Sequence, residues 1–115
     1  MLIDIALDEG NIDRALEIAS QPGALVRAET QMRVAQAAEA DHPRAALEIY
    51  RSRAERAIAA RGRGNYVTAA ELLLRVRDLY GQLGEESTWQ GYITRLREAH
   101  TRLWALKEEL DRAGL

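Results

Sequence analysis

The chain has no cysteine and no phenylalanine, only two prolines and two histidines, and a single lysine, Lys107, among its sixteen basic residues. Each scarcity excludes something. Without cysteine there is no disulfide framework and no thiolate metal site, and the cytoplasm becomes the default location. The two histidines, His42 and His100, lie far apart in sequence and outside any HExxH spacing, so no metal or other cofactor is expected. No apolar run approaches the roughly 20 residues that span a bilayer. The amino terminus also lacks a basic region followed by an apolar stretch, so neither a membrane contact nor a secretory leader is expected. Nowhere do apolar and polar residues alternate for long enough to predict a strand.

What remains is a helix-forming composition. The 115 residues are 47% hydrophobic and 30% charged, enough for one globular domain, 1–115, with its own core. The net charge of −2 is unevenly spread. Residues 1–41 carry three arginines against eight carboxylates, a net −5. Residues 42–63 carry six arginines against Glu48 and Glu55, a net +4. The remainder, with seven basic and eight acidic residues, is nearly balanced at −1.

One motif recurs at three turns: Gly10-Asn11 before Ala15-Leu16, Asp41-His42-Pro43 before Ala45-Ala46-Leu47, and Gly64-Asn65 before Ala69-Ala70. Each is followed by small and apolar residues at helical spacing. Repeated turn-plus-helix units are the mark of stacked hairpins. The spacing predicts helices over about 2–8, 13–20, 24–40, 43–60, 66–83 and 88–112. Asp41 is the expected cap of the fourth, with Pro43 in its first turn. Gly84 is the expected left-handed C-cap of the fifth, and Ser87 with Gln90 a capping box for the last. The predicted stripes are Leu25, Ala28, Met32, Ala35 and Ala38; then Leu47, Tyr50, Ala54, Ala57 and Ile58. Ala69, Leu73, Val76, Tyr80 and Leu83 follow, and finally Tyr92, Leu96, Ala99, Leu103, Leu106 and Leu110.

The fold class is therefore all-α: antiparallel helical hairpins stacked as a short tetratricopeptide-like α–α superhelix. The repeat is irregular. Aligning Ala15 with Ala46 gives a period of 31, and Ala46 with Ala69 gives 23, whereas a tetratricopeptide array holds near roughly 34.

No serine, threonine or cysteine stands beside an oriented base, so no enzyme is predicted. Gly62 and Gly64 follow a helix rather than a strand and precede no GK[ST], which makes them a helix stop rather than a phosphate loop. His42 reads as an exposed turn residue. His100, at the flank of the last stripe, reads as a partly buried histidine bonded to a neighbouring helix. Arg44, Arg51, Arg53, Arg56, Arg61 and Arg63 crowd one helix and its end, beside Tyr50 and Tyr66. Arg53, Arg56 and, less strictly, Arg63 share the face opposite the apolar stripe, while Arg51 and Arg61 point nearer the packed side. Such a strip could meet phosphates or an acidic partner, or pair internally. Trp89 is expected to pack on the end of the preceding hairpin. Trp104 falls beside its stripe and is expected to be partly exposed.

The stretch from about Tyr50 to the C-terminus, a little over half the chain, contains Arg61-x-Arg63-x-x-Tyr66-x-x-Ala69-Ala70, then Leu79-Tyr80-x-x-Leu83-Gly84, Trp89, Leu96-Arg97-x-x-His100 and Leu106. It is similar to the C-terminal helical region of bacterial SWIM zinc finger proteins. In that family the zinc site is a separate cysteine–histidine motif, which this chain lacks, so zinc binding does not carry over. The resemblance implies a fragment, or a relative, of the helical tail of a larger protein.

The expected function is a non-enzymatic interaction or scaffolding module, with a protein or a neighbouring domain of the parent chain as partner. The candidate contact residues are Arg53, Arg56, Arg61, Arg63, Tyr66 and Trp104, near the third turn. The alternative is an accessory nucleic-acid-binding domain using the arginine-rich helix 44–63. A homodimer through Leu2, Ile3, Ala6 and Leu7 is a further expectation.

Overall fold

A computed structural model describes residues 28–115. The expected helices 2–8 and 13–20, the first turn motif and the dimer-forming residues Leu2, Ile3, Ala6 and Leu7 lie outside the described residues. Five helices follow: α1 Ala28–Ala38, α2 Pro43–Ala60, α3 Arg63–Gln82, α4 Glu86–Ala99 and α5 Trp104–Ala113. The described residues contain no strand, so the all-helical class holds for them. None of these helices is long and apolar enough to cross a membrane.

Contacts within the chain gather into two compact units, 1–49 and 50–115. In the first, Val34, Ala35 and Ala38 of α1 and Ala46 and Leu47 of α2 are buried. The helix is stopped at Ala38, two residues before the expected end, by a turn in which the His42 amide donates to the Ala38 carbonyl at 2.7 Å. Pro43 does occupy the first position of α2. The cap is His42 rather than Asp41, because it is the His42 carbonyl that accepts from the Ala46 amide, at 3.1 Å. His42 is half-buried instead of exposed.

The second unit is organised around α3, which packs against both α4 and α5. Four of the five predicted stripe residues of α3 are buried, Ala69, Leu73 and Val76 fully and Tyr80 nearly so, with Leu72 and Leu79 beside them, whereas Leu83 is half-buried and caps the helix from outside it. Tyr50, Ala54 and Ile58 of α2 are also buried. Helix α3 ends as Gly84 predicts. Its φ is +70°, the Gly84 amide donates to Gly81, and the Glu85 amide reaches back to the Tyr80 carbonyl at 2.8 Å. This is a Schellman closure. It brings Glu85 into place as the N-cap of α4, so Ser87 falls inside the first turn and the expected capping box does not form. The earlier start accompanies a rotated face: Trp89, Ile93 and Leu96 are buried, while Ala99 is exposed and Tyr92 half-buried.

The largest departure is at 100–103. The predicted helix 88–112 is two helices, with His100 at φ −125°, ψ 35° closing α4 and Leu103 at φ −91°, ψ 69° opening α5. Neither glycine nor proline marks this break. Interrupting a helix forfeits a few backbone bonds, each worth about 1 kcal/mol net. The bend allows Leu106 and Leu110 to be 1% exposed in the helix that packs on α3, and full burial is worth about 1.5–3 kcal/mol per leucine. Packing wins over local continuity.

The turn between α2 and α3 is shorter than expected. Arg61 and Gly62 alone form it, and Arg63 and Gly64 belong to α3. Arg61 has φ +60° and Gly62 φ +100°. A side chain in the left-handed region costs about 1 kcal/mol or slightly more. Arg61→Gly is therefore expected to stabilise the fold by up to about 1 kcal/mol, after the added freedom of the unfolded chain is deducted. Gly62→Ala is expected to destabilise it by about 1–2 kcal/mol, purely through backbone strain, since a Cβ there would meet nothing within 4 Å. Urea denaturation of the two variants checks the pair, and shifts of the same sign would contradict this account of the turn.

Candidate functional site

The six residues singled out in the sequence do not form one surface. Tyr66 is 5% exposed and belongs to the core, because starting α3 at Arg63 places it on the same face as Ala69, Ala70 and Leu73. Arg63 is held across to α5. Its guanidinium donates to Glu109 Oε1 at 2.9 Å and to Glu108 Oε2 at 3.1 Å. Those two hydrogen bonds, Glu108 first, raise the Arg63 pKa above its ordinary value. Arg53 is half-buried, and its pKa is lowered by burial and by the neighbouring charge of Arg56. Arg56 is exposed. Arg61 is exposed as well, where a helical continuation would turn it towards the packed side, because its left-handed conformation carries it off the helix. Trp104, at the first position of α5, is 68% exposed.

A cluster not foreseen in the sequence joins α2, α3 and α4. Arg51 lies over the Tyr92 ring, 5.9 Å from its centre, and donates to the Tyr80 hydroxyl at 3.4 Å. Trp89 sits between Tyr80 and Tyr92, with tilted rings 6.4 Å and 6.1 Å away. The Tyr92 hydroxyl donates to Glu55 Oε1 at 2.9 Å. One signal was available: Arg51 and Glu55, and Trp89 and Tyr92, each share a helix face at spacings of four and three.

Burial, followed by the hydrogen bond to the Glu55 carboxylate, pushes the Tyr92 phenol well above the ordinary tyrosine value of about 10. Since the folded-state pKa is the raised one, this contribution to stability is complete below about pH 10 and is lost as pH rises beyond it. Tyrosinate absorbance in an alkaline titration should include a Tyr92 step that comes late, or only as the fold opens. Tyr92→Phe should remove one phenol's worth of absorbance from the late part of the titration, and a late amplitude unchanged in the variant would contradict this assignment.

The bend at 100–103 borders a concavity. A cavity of about 270 Å³ is lined by Leu106, Leu110, Arg97, Glu98, His100, Thr101 and Lys107. A second, more open one of about 370 Å³ includes Glu55, Tyr92, Arg95 and, again, His100. His100 is half-buried as expected, but its ring makes no hydrogen bond among the described residues. Arg97 is committed internally, to Asp111 at 2.9 Å and to the Leu115 carbonyl at 3.2 Å. Among the described residues, no group of three or more histidine, aspartate or glutamate side chains is placed to hold a metal ion.

No family model matches the chain, and no solved structure matches it. Among curated proteins the chain is similar to the uncharacterized protein YwqB of Bacillus subtilis (strain 168), with 31% identity over 100 residues. The match takes in 87% of this chain and 18% of that protein. The chain thus spans under a fifth of the length of the curated relative it matches.

Proposed function

We propose that this chain is a non-enzymatic module for protein–protein interaction or scaffolding, its hairpins stacked as a tetratricopeptide-like α–α superhelix. Its partner is a second protein or a neighbouring domain of a longer parent, and it works in the cytoplasm. The observation that carries this reading is Trp104, a large apolar side chain 68% exposed on an ordered helix. Exposed tryptophan is disproportionately found where proteins meet. The match to a much longer relative, and the resemblance to the tail region of SWIM zinc finger proteins, support a place within a larger chain.

Quantitative co-purification of the tagged protein and its Trp104→Ser variant tests the reading. Specific proteins should be retained by the wild type and depleted from the variant. Recovery of nucleic acid alone would overturn it. A nucleic-acid role for the helix 44–63 has less support, because Arg51 and Arg63 are engaged internally and Arg53 is half-buried. Such binding would fall steeply with added salt.

A further inference from the structure

We propose that α5 is exchangeable between two copies of this chain. In the exchanged state residues 100–103 straighten, and α5 of each copy packs on α3 of the other. The hinge carries the inference first. His100, Thr101, Arg102 and Leu103 join α4 to α5 without a glycine or a proline, so nothing in these four residues forbids helix. Straightening them regains the backbone hydrogen bonds forfeited at the bend. Across the hinge Leu96, Ala99, Leu103, Leu106 and Leu110 keep spacings of three and four, the pattern of one unbroken helix.

What the straight helix gives up is its grip on its own α3. Trp89, Ile93 and Leu96 are the buried side of α4. In an unbroken helix Leu106 and Leu110 lie roughly a quarter of a turn around the axis from them. The bend makes up that difference in the closed chain. Once straight, α5 needs an α3 placed elsewhere, and a second copy offers an identical one. There Leu106 and Leu110 find the same apolar cover. Glu108 and Glu109 find Arg63, and Asp111 finds Arg97, contacts that measure 3.1, 2.9 and 2.9 Å in the closed chain. Each copy lends α5 and receives it, so the association closes at two. The balance then rests on regained helix bonds against the concentration-dependent cost of association. Trp104, 68% exposed, directly follows the hinge, where the two chains pass each other in the exchanged form.

The test begins with size-exclusion chromatography and light scattering of the full chain, refolded from urea over a roughly hundredfold range of concentration. A slowly exchanging dimer is expected to grow with concentration. Thr101 is exposed, and alanine there favours the straight hinge whereas glycine opposes it, twice over in a dimer. Thr101→Ala should therefore dimerise at least about tenfold more tightly than Thr101→Gly. Native mass spectrometry then locates the exchange. Arg63→Glu and Glu108→Arg each weaken the contact of α3 with α5 inside one chain. Refolded together, the new glutamate of one variant meets the new arginine of the other, and the native pair forms in return. The mixed dimer should exceed either homodimer by about tenfold or more. A monomer in the wild type and in Thr101→Ala alike overturns the proposal. So does a dimer that is indifferent to residue 101 or shows no preference for the mixed pair, since it forms through another surface.

Discussion

Trp89→Ala is expected to cost about 4 kcal/mol, the largest single-residue effect anticipated in the second unit. Truncating a buried tryptophan typically costs about 3–5 kcal/mol through lost transfer energy and the cavity left behind. Trp89 is 4% exposed and lies between Tyr80 of α3 and Tyr92 of α4. Aromatic pairs of this kind add about 0.5–1.5 kcal/mol beyond their burial. Small domains have roughly 5–15 kcal/mol in total, so the variant should retain its fold with a melting temperature lower by roughly 15–25 °C. Trp89→Phe keeps a ring in place and should cost clearly less. Urea and thermal unfolding followed by circular dichroism measure both. A loss below about 1 kcal/mol for the alanine variant would mean that the aromatic cluster is not the close-packed joint described above.

The second large effect is expected at Glu109. Its carboxylate is 5% exposed and receives Arg63 at 2.9 Å and Arg112 at 3.2 Å through the same oxygen. Glu109→Ala removes both charge-assisted bonds and should destabilise the fold by about 2 kcal/mol. Both arginines are largely exposed and can recover water, which keeps the cost below that of stranding a buried charge. Glu109→Leu should be markedly milder, because a well-packed apolar side chain avoids the desolvation that the carboxylate suffers. The contrast is the diagnostic. If leucine cost as much as alanine, the charge itself would be indispensable, and the site would be more than a clasp between α3 and α5.

These two sites mark the reach and the limit of sequence reading. Periodicity located the α3 stripe except at its end, since Ala69, Leu73, Val76 and Tyr80 must face inward on any helix that buries them, while Leu83 falls past the last helical residue. Gly84 announced its own left-handed turn. The break at 100–103 was invisible because His100, Thr101, Arg102 and Leu103 are all compatible with helix, and only burial of Leu106 and Leu110 on α3 decides against it. That one miss propagated into the candidate site. With the helix drawn straight there is no concavity near His100, and attention falls on the arginine-rich turn. Arg63 looked available there because its partners, Glu108 and Glu109, are more than forty residues away and no local pattern pairs them. Trp104 was legible as partly exposed, because it falls beside its stripe on the helix it opens.

The chain has two tryptophans, and the fold separates their exposure: Trp89 is 4% and Trp104 68% exposed. Their light emission is therefore spectrally and chemically divisible. Trp89 should emit at shorter wavelength and be shielded from an aqueous quencher, whereas Trp104 should emit to the red and be quenched readily. A single native sample thus carries two optical channels. One follows the integrity of the core, and the other follows whatever settles on the surface of α5.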